Sequence, residues 1–99
     1  MVRGGTVCIL TNKNRTTLYT GVTADLPSRL IEHREKYYPS SFTARDSLNL
    51  LIYHESFLSI EEAIVMEKYI KGKNRKWKEE LIEKSNPLWR DLGDEVMQW

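Results

Sequence analysis

The element order β, β, α, β, α, α predicts a small α/β or α+β domain whose sheet begins with an antiparallel hairpin. Three observations carry this expectation. Two β-branched apolar runs, "GTVCIL" and "TTLYTGV", flank the polar, turn-prone "NKNR". A third strand-like run, "LNLLIYHESF", stands between two helical patterns. Finally, Ser59 precedes "IEEAIVMEKYIK" with Glu62 in the capping-box position and Gly72 at the far end.

The remaining elements follow in order. After the hairpin, "TADLPSRLIEHREKYY" reads as the first helix, with Asp25 as N-cap and Pro27 in the first turn, where a missing backbone N–H is tolerated. "PSSFTARDS" reads as a loop leading into the third strand. Beyond Gly72, "NRKWKEELIEK" is a helix with a narrow apolar stripe of Trp77, Leu81 and Ile82, ended by "SNP". The last stretch, "LWRDLGDEVMQW", carries tryptophans near both ends and is expected to pack back on the rest.

Ninety-nine residues suffice for one domain and not for two, so residues 1–99 are expected to form one unit burying roughly 65% of the surface of the unfolded chain. An apolar fraction of 40% with ten aromatics is globular, and a net charge of +1 with 29% charged residues singles out no partner. Cys8 is the only cysteine, which excludes an internal disulfide or a Cys-rich zinc site and suits a reducing, cytoplasmic setting. No segment approaches the ~20 apolar residues of a membrane-spanning helix, and "TVCIL" is too short for a signal sequence.

Polar groups fall where helical periodicity calls for apolar ones. On the helix after Ser59, at about 100° per residue, Ile60, Ala63, Ile64 and Ile70 share a face, and Glu67 lies in its middle. An ionised carboxylate there needs an ion-pair partner, a metal or water, because burying it alone costs several kcal/mol or protonates it. On the first helix, His33 lies among Leu26, Leu30 and Tyr37, with Arg29 four residues before it at the edge of that face. Taken with Tyr19 on the preceding strand, these groups suit one chemistry. Arginine matches phosphate, a carboxylate is a hard oxygen ligand for Mg²⁺, and tyrosine or histidine can move a proton, which together fit phosphodiester hydrolysis. No serine sits in a nucleophile-elbow context, and no second placed carboxylate suggests a glycosidase.

The run "KYIKGKNRKWK", Lys68 to Lys78, carries six basic residues and no acidic ones, interleaved with Tyr69 and Trp77. Such a cluster can contact phosphates, or simply be a solvated helix face whose lysines pair with Glu79, Glu80 and Glu83.

"TVCIL", a polar turn, "LYTGVTADLPSRLIEH", "SIEEAIVMEKYIKG" and "NPLW" together resemble the small stand-alone bacterial proteins of the GIY-YIG endonuclease superfamily, from about Gly4 to about Leu92. By that resemblance Tyr19-Thr20-Gly21 corresponds to the YIG motif, Arg29 to the catalytic arginine, His33 to the histidine or tyrosine one turn later, and Glu67 to the metal-binding glutamate. Asn86 corresponds to a late asparagine. The resemblance implies a three-stranded mixed sheet flanked by helices, one divalent ion (Mg²⁺ or Mn²⁺) held by Glu67, and cleavage of DNA, with branched or damaged DNA among the candidate substrates, in repair or processing. Asn86 with Lys71, Lys73, Arg75 and Lys76 would then hold substrate. One position departs from the pattern: Thr6-Val7-Cys8 occupies the GIY position, so Cys8 stands where the family has a tyrosine. The alternative expectation is therefore a nucleic-acid-binding module weakened in turnover.

Overall fold

The computed structural model describes residues 4–34 and 50–98, the side chains of 32–34 excepted. The expected loop at 39–47, the end of the first helix and Trp99 lie outside the described residues. Three strands, β1 (Gly5–Thr11), β2 (Leu18–Thr23) and β3 (Leu50–Phe57), alternate with α1 (Leu26–Arg34), α2 (Ile60–Lys71), α3 (Arg75–Ser85) and a single turn, α4 (Gly93–Val96). The order β-β-α-β-α-α is the one read from the sequence, with α4 added at the end.

The sheet runs β2-β1-β3, and both pairings are antiparallel. The expected mixed sheet is corrected on this point. A helix between two strands usually returns the second parallel to the first, and β3 does run in the direction of β2, but β1 lies between them. The hairpin turn is fixed by Asn12, whose Oδ1 accepts from the N–H of Thr16 at 2.8 Å, while Arg15 adopts φ 57°. Asparagine side chains favour such turns for this reason.

Every residue of β1 is buried, because the two sides of the sheet are both covered. Val7 and Ile9 join Tyr53, Ala63, Ile70 and Ile82 beneath α2 and α3. Cys8 and Leu10 join Leu26, Leu30, Leu51 and Val96 beneath α1 and α4. This explains the unbroken apolar run "TVCIL": a central strand with two covered faces has no solvent side to alternate with. Gly5 allows the close approach of α2, since a Cβ there would stand 2.7 Å from the Ala63 Cβ and 3.0 Å from the Ile60 Cα.

The caps are those the sequence predicts. Ser28 donates from its hydroxyl to Asp25 Oδ2 at 2.9 Å and from its N–H to Asp25 Oδ1 at 3.3 Å. The N–H of Glu62 donates to Ser59 Oγ at 3.2 Å, the N-cap bond of a capping box, and the Ser59 hydroxyl donates to Glu62 Oε1 at 3.1 Å. The C-terminal stretch packs back as expected: the N–H of Leu92 donates to the Leu51 carbonyl at 2.7 Å, and Asp91 Oδ1 accepts from the N–H of Leu51 at 3.1 Å. That covers part of the outer edge of β3, which would otherwise present unpaired backbone. No helix among the described residues is long and apolar enough to cross a membrane.

Candidate active site

Register brings the two motif strands into one frame. Cys8 lies opposite Gly21 on β2 and opposite His54 on β3, while Tyr19 lies opposite Leu10. Directly opposed residues point to the same face, and side chains alternate along a strand, so Cys8, Tyr19, Gly21 and His54 share the α1 side of the sheet. Gly21 is the seat of the Tyr19 ring: a Cβ on Gly21 would stand 3.1 Å from Tyr19 Cε2. Tyr19 itself is half-buried against the cluster that contains Cys8 and Leu10.

Cys8 is 3% exposed. Burial pushes its thiol up to about 12, partly opposed by the Arg29 guanidinium and a backbone hydrogen bond at Gly21, with a smaller upward push from the Glu67 carboxylate. The motif position is thus occupied by a neutral, buried thiol. It also reports on its neighbours, because a cation from α1 and a carboxylate from α2 both act on this one atom of β1.

Glu67 resolves the polar group in the apolar stripe of α2. Its side chain is 13% exposed, and Lys71 Nζ stands 2.8 Å from its Oε2. The ion pair, one of the three arrangements the wheel allows, is what the fold adopts. Lys71 also feels Tyr19, and its ammonium is held above the usual lysine range chiefly by the hydrogen bond to Glu67. Arg29 of α1 and Glu67 of α2 thus act on Cys8, and Tyr19 of β2 acts on Lys71 of α2. His33 lies on α1 one turn after Arg29, but its side chain is outside the described residues.

The expected substrate-holding residues divide. Asn86 does not face substrate: it is 2% exposed, and both hydrogens of its amide are spent, on the carbonyl of Ile52 at 3.1 Å and on that of Arg90 at 2.8 Å. Its Oδ1 accepts from the N–H of Arg90 at 3.0 Å. Ile52 is the residue that the irregularity between Ile9 and Leu10 inserts into β3, so Asn86 supplies a partner to a bulged carbonyl. Arg75 is likewise committed, donating to the carbonyls of Arg15 and Thr16 at 2.8 Å each and pairing with Glu79 at 2.8 Å. Asn86 thus has both amide hydrogens engaged, whereas Arg75 engages three of its five N–H donors and stays exposed. Lys73 lies over the Tyr69 ring at 4.5 Å, and Lys76 is exposed.

His54 was not marked by periodicity, yet it adjoins Cys8 across the sheet. Burial lowers its pKa, offset in part by Glu95 of α4. Only the strand order reveals this neighbour, and that order depends on which edge of β1 the third strand joins.

Among the described residues no three His, Cys, Asp or Glu side chains gather into a metal-binding group. Mg²⁺ does not need one, since it is commonly held by one or two carboxylates with water and substrate phosphates completing the shell. Glu67, half-buried and already facing a cation, fits that role as a single protein ligand.

Residues 5–80 match the GIY-YIG catalytic domain. A UPF0213 protein from Bacillus halodurans, whose structure was solved by solution NMR, is 28% identical and superposes with a TM-score of 0.56, over 88% of this chain and 90% of that one. No curated protein matches the chain.

Proposed function

This chain belongs to the GIY-YIG family of nucleases, and on that premise we propose that it is a metal-dependent endonuclease hydrolysing phosphodiester bonds of DNA. One observation supports the reading above others: Arg29 from α1 and Glu67 from α2 both act on the first-motif position, and Lys71 links Glu67 to the surroundings of Tyr19. A glutamate, an arginine and a tyrosine from three elements would thus face one scissile phosphate.

Arg29 binds the phosphate and meets the charge that develops on its oxygens in the transition state. Tyr19, its ring held over Gly21, orients the attacking water and takes its proton. His33 positions the water or relays that proton. Glu67 would hold Mg²⁺ or Mn²⁺, which would supply Lewis acidity toward the phosphate. Lys73 and Lys76 steer the DNA backbone without reading sequence. The whole serves repair or processing of branched or damaged DNA.

Purified protein incubated with supercoiled and branched DNA in Mn²⁺ tests this. Nicking that disappears in Glu67→Ala is the expected result, and DNA left intact by the parent, or cut equally by the variant, would falsify the catalytic reading.

Cys8 favours a second reading, a nucleic-acid-binding module weakened in turnover. A neutral thiol with a pKa near about 12 neither spans the reach of a phenol nor donates as strongly. Restoring Cys8→Tyr separates the two: cleavage gained by a silent parent supports the weakened module, and an active parent little changed by the substitution supports Tyr19 as sufficient.

A further inference from the structure

We propose that the corner between α2 and α3 is a stacking station for an unpaired nucleobase, with Tyr69 as the platform and the surrounding lysines as phosphate contacts. The proposal rests on the reading that the chain acts on nucleic acid and names the feature of the substrate it prefers.

Tyr69 stands in the last turn of α2 with its side chain 52% exposed. Its position is nonetheless fixed. Its ring meets that of Trp77 edge to face, with centroids 5.6 Å apart and an interplanar angle of 83°. Trp77 is in turn packed against the core, and its N–H donates to the Asn74 cap at 2.9 Å. Lys73 Nζ lies 4.5 Å over the Tyr69 ring and 5.7 Å from that of Trp77. A rigid aromatic with an ammonium over one face leaves its exposed part for a second flat group.

Charge selects that group. From Lys68 to Lys78 there are six basic residues and no acidic one; Lys71 pairs with the bounding Glu67 and Arg75 with Glu79, which leaves the charges of Lys68, Lys73, Lys76 and Lys78 in excess within the run. The field at the platform is therefore positive, which suits a phosphate backbone and disfavours a basic or neutral peptide. Duplex DNA hides the faces of its bases. A positive corner with an exposed ring matches a strand whose bases are unpaired, as at a branch, gap or flap.

The test uses the full-length protein in EDTA, where hydrolysis is silent, with a labelled thymidine oligonucleotide of about 15 nucleotides and a duplex of equal length read by fluorescence anisotropy. Tyr69→Ala is expected to weaken single-strand binding about tenfold, to leave duplex binding within about twofold, and to keep the slope of log K against log salt, since no charge is removed. Tyr69→Phe, which keeps the platform, should bind the single strand as the parent does. Unchanged single-strand binding in Tyr69→Ala, or an equal loss for both ligands, overturns the stacking station. Cleavage in Mn²⁺ is scored separately: Tyr69-dependent binding in a protein that cuts nothing sinks the catalytic reading and leaves the station standing, whereas cutting with Tyr69-independent binding sinks the station alone.

Discussion

Lys71 Nζ stands 2.8 Å from Glu67 Oε2, one helical turn away, so the carboxylate assigned to a divalent ion already has a monovalent counter-ion of its own chain. The two cations compete for one ligand. Lys71→Met should tighten Mn²⁺ binding, measured by the loss of the free Mn²⁺ paramagnetic resonance signal, while costing only about 0.3–0.5 kcal/mol of stability, as expected for a partly exposed i,i+4 pair. Equal Mn²⁺ affinity in parent and variant would place the ion away from Glu67. The raised lysine pKa means that the ammonium persists at neutral pH, and its contribution is lost only as pH climbs through and beyond the ordinary lysine value.

Stability should fall toward both ends of the pH range, for two different groups on one face of the sheet. Cys8 titrates higher in the folded chain than the ordinary 9.0, so folding favours the thiol, and stability declines as pH rises from 9.0 toward about 12. His54 is shifted the other way. Its folded pKa lies below 6.5, so the unfolded chain binds the proton more readily, and stability is lost as pH falls through and below 6.5. Urea midpoints across this range provide the check. His54→Asn should flatten the acid limb, and an unchanged limb would assign it to carboxylates instead.

The same burial makes Cys8 chemically quiet. A thiol-reactive dye at pH 8 should label the native protein very slowly and the urea-unfolded protein at once. Cys8→Tyr, the substitution that restores the motif, adds a ring to a position 3% exposed and should cost about 1–3 kcal/mol by overpacking. A variant with the same urea midpoint as its parent would show that the surrounding side chains make room for a phenol.

Asn86→Ala should destabilise by about 2–4 kcal/mol, because the Ile52 and Arg90 carbonyls and the Arg90 N–H lose their partners together in a buried place. Asn86→Asp, which keeps the acceptor and loses the donors, is expected to recover little. If either variant melts with the parent in a thermal scan, the asparagine is not the strut described above.

How much of this was legible beforehand follows from the kind of information each residue carries. Caps are local, so Asp25, Ser59 with Glu62, and Gly72 could be read directly. Periodicity likewise placed Ala63, Ile70 and Ile82 inside, and it flagged Glu67 as a carboxylate in need of a partner. What escaped was long-range. Nothing in "SNP" announces that Asn86 meets a bulged carbonyl of β3, and nothing in the basic run separates Arg75, bound to a distant turn, from the exposed Lys76 beside it. Charge composition counts cations but does not tell which of them are already engaged. The antiparallel sheet escaped for a similar reason, since strand direction depends on which edge of β1 receives β3.

Arg75 also bears on the order in which the chain is assembled. The hairpin turn leaves the carbonyls of Arg15 and Thr16 to be capped by a side chain about 60 positions further on. Local sequence can start the β1–β2 pair, yet the turn just ahead of Tyr19 reaches its final form only when α3 docks. During synthesis a nascent chain halted before residue 75 would carry the tyrosine and glycine of the second motif without the Arg75 clasp on the turn that precedes them.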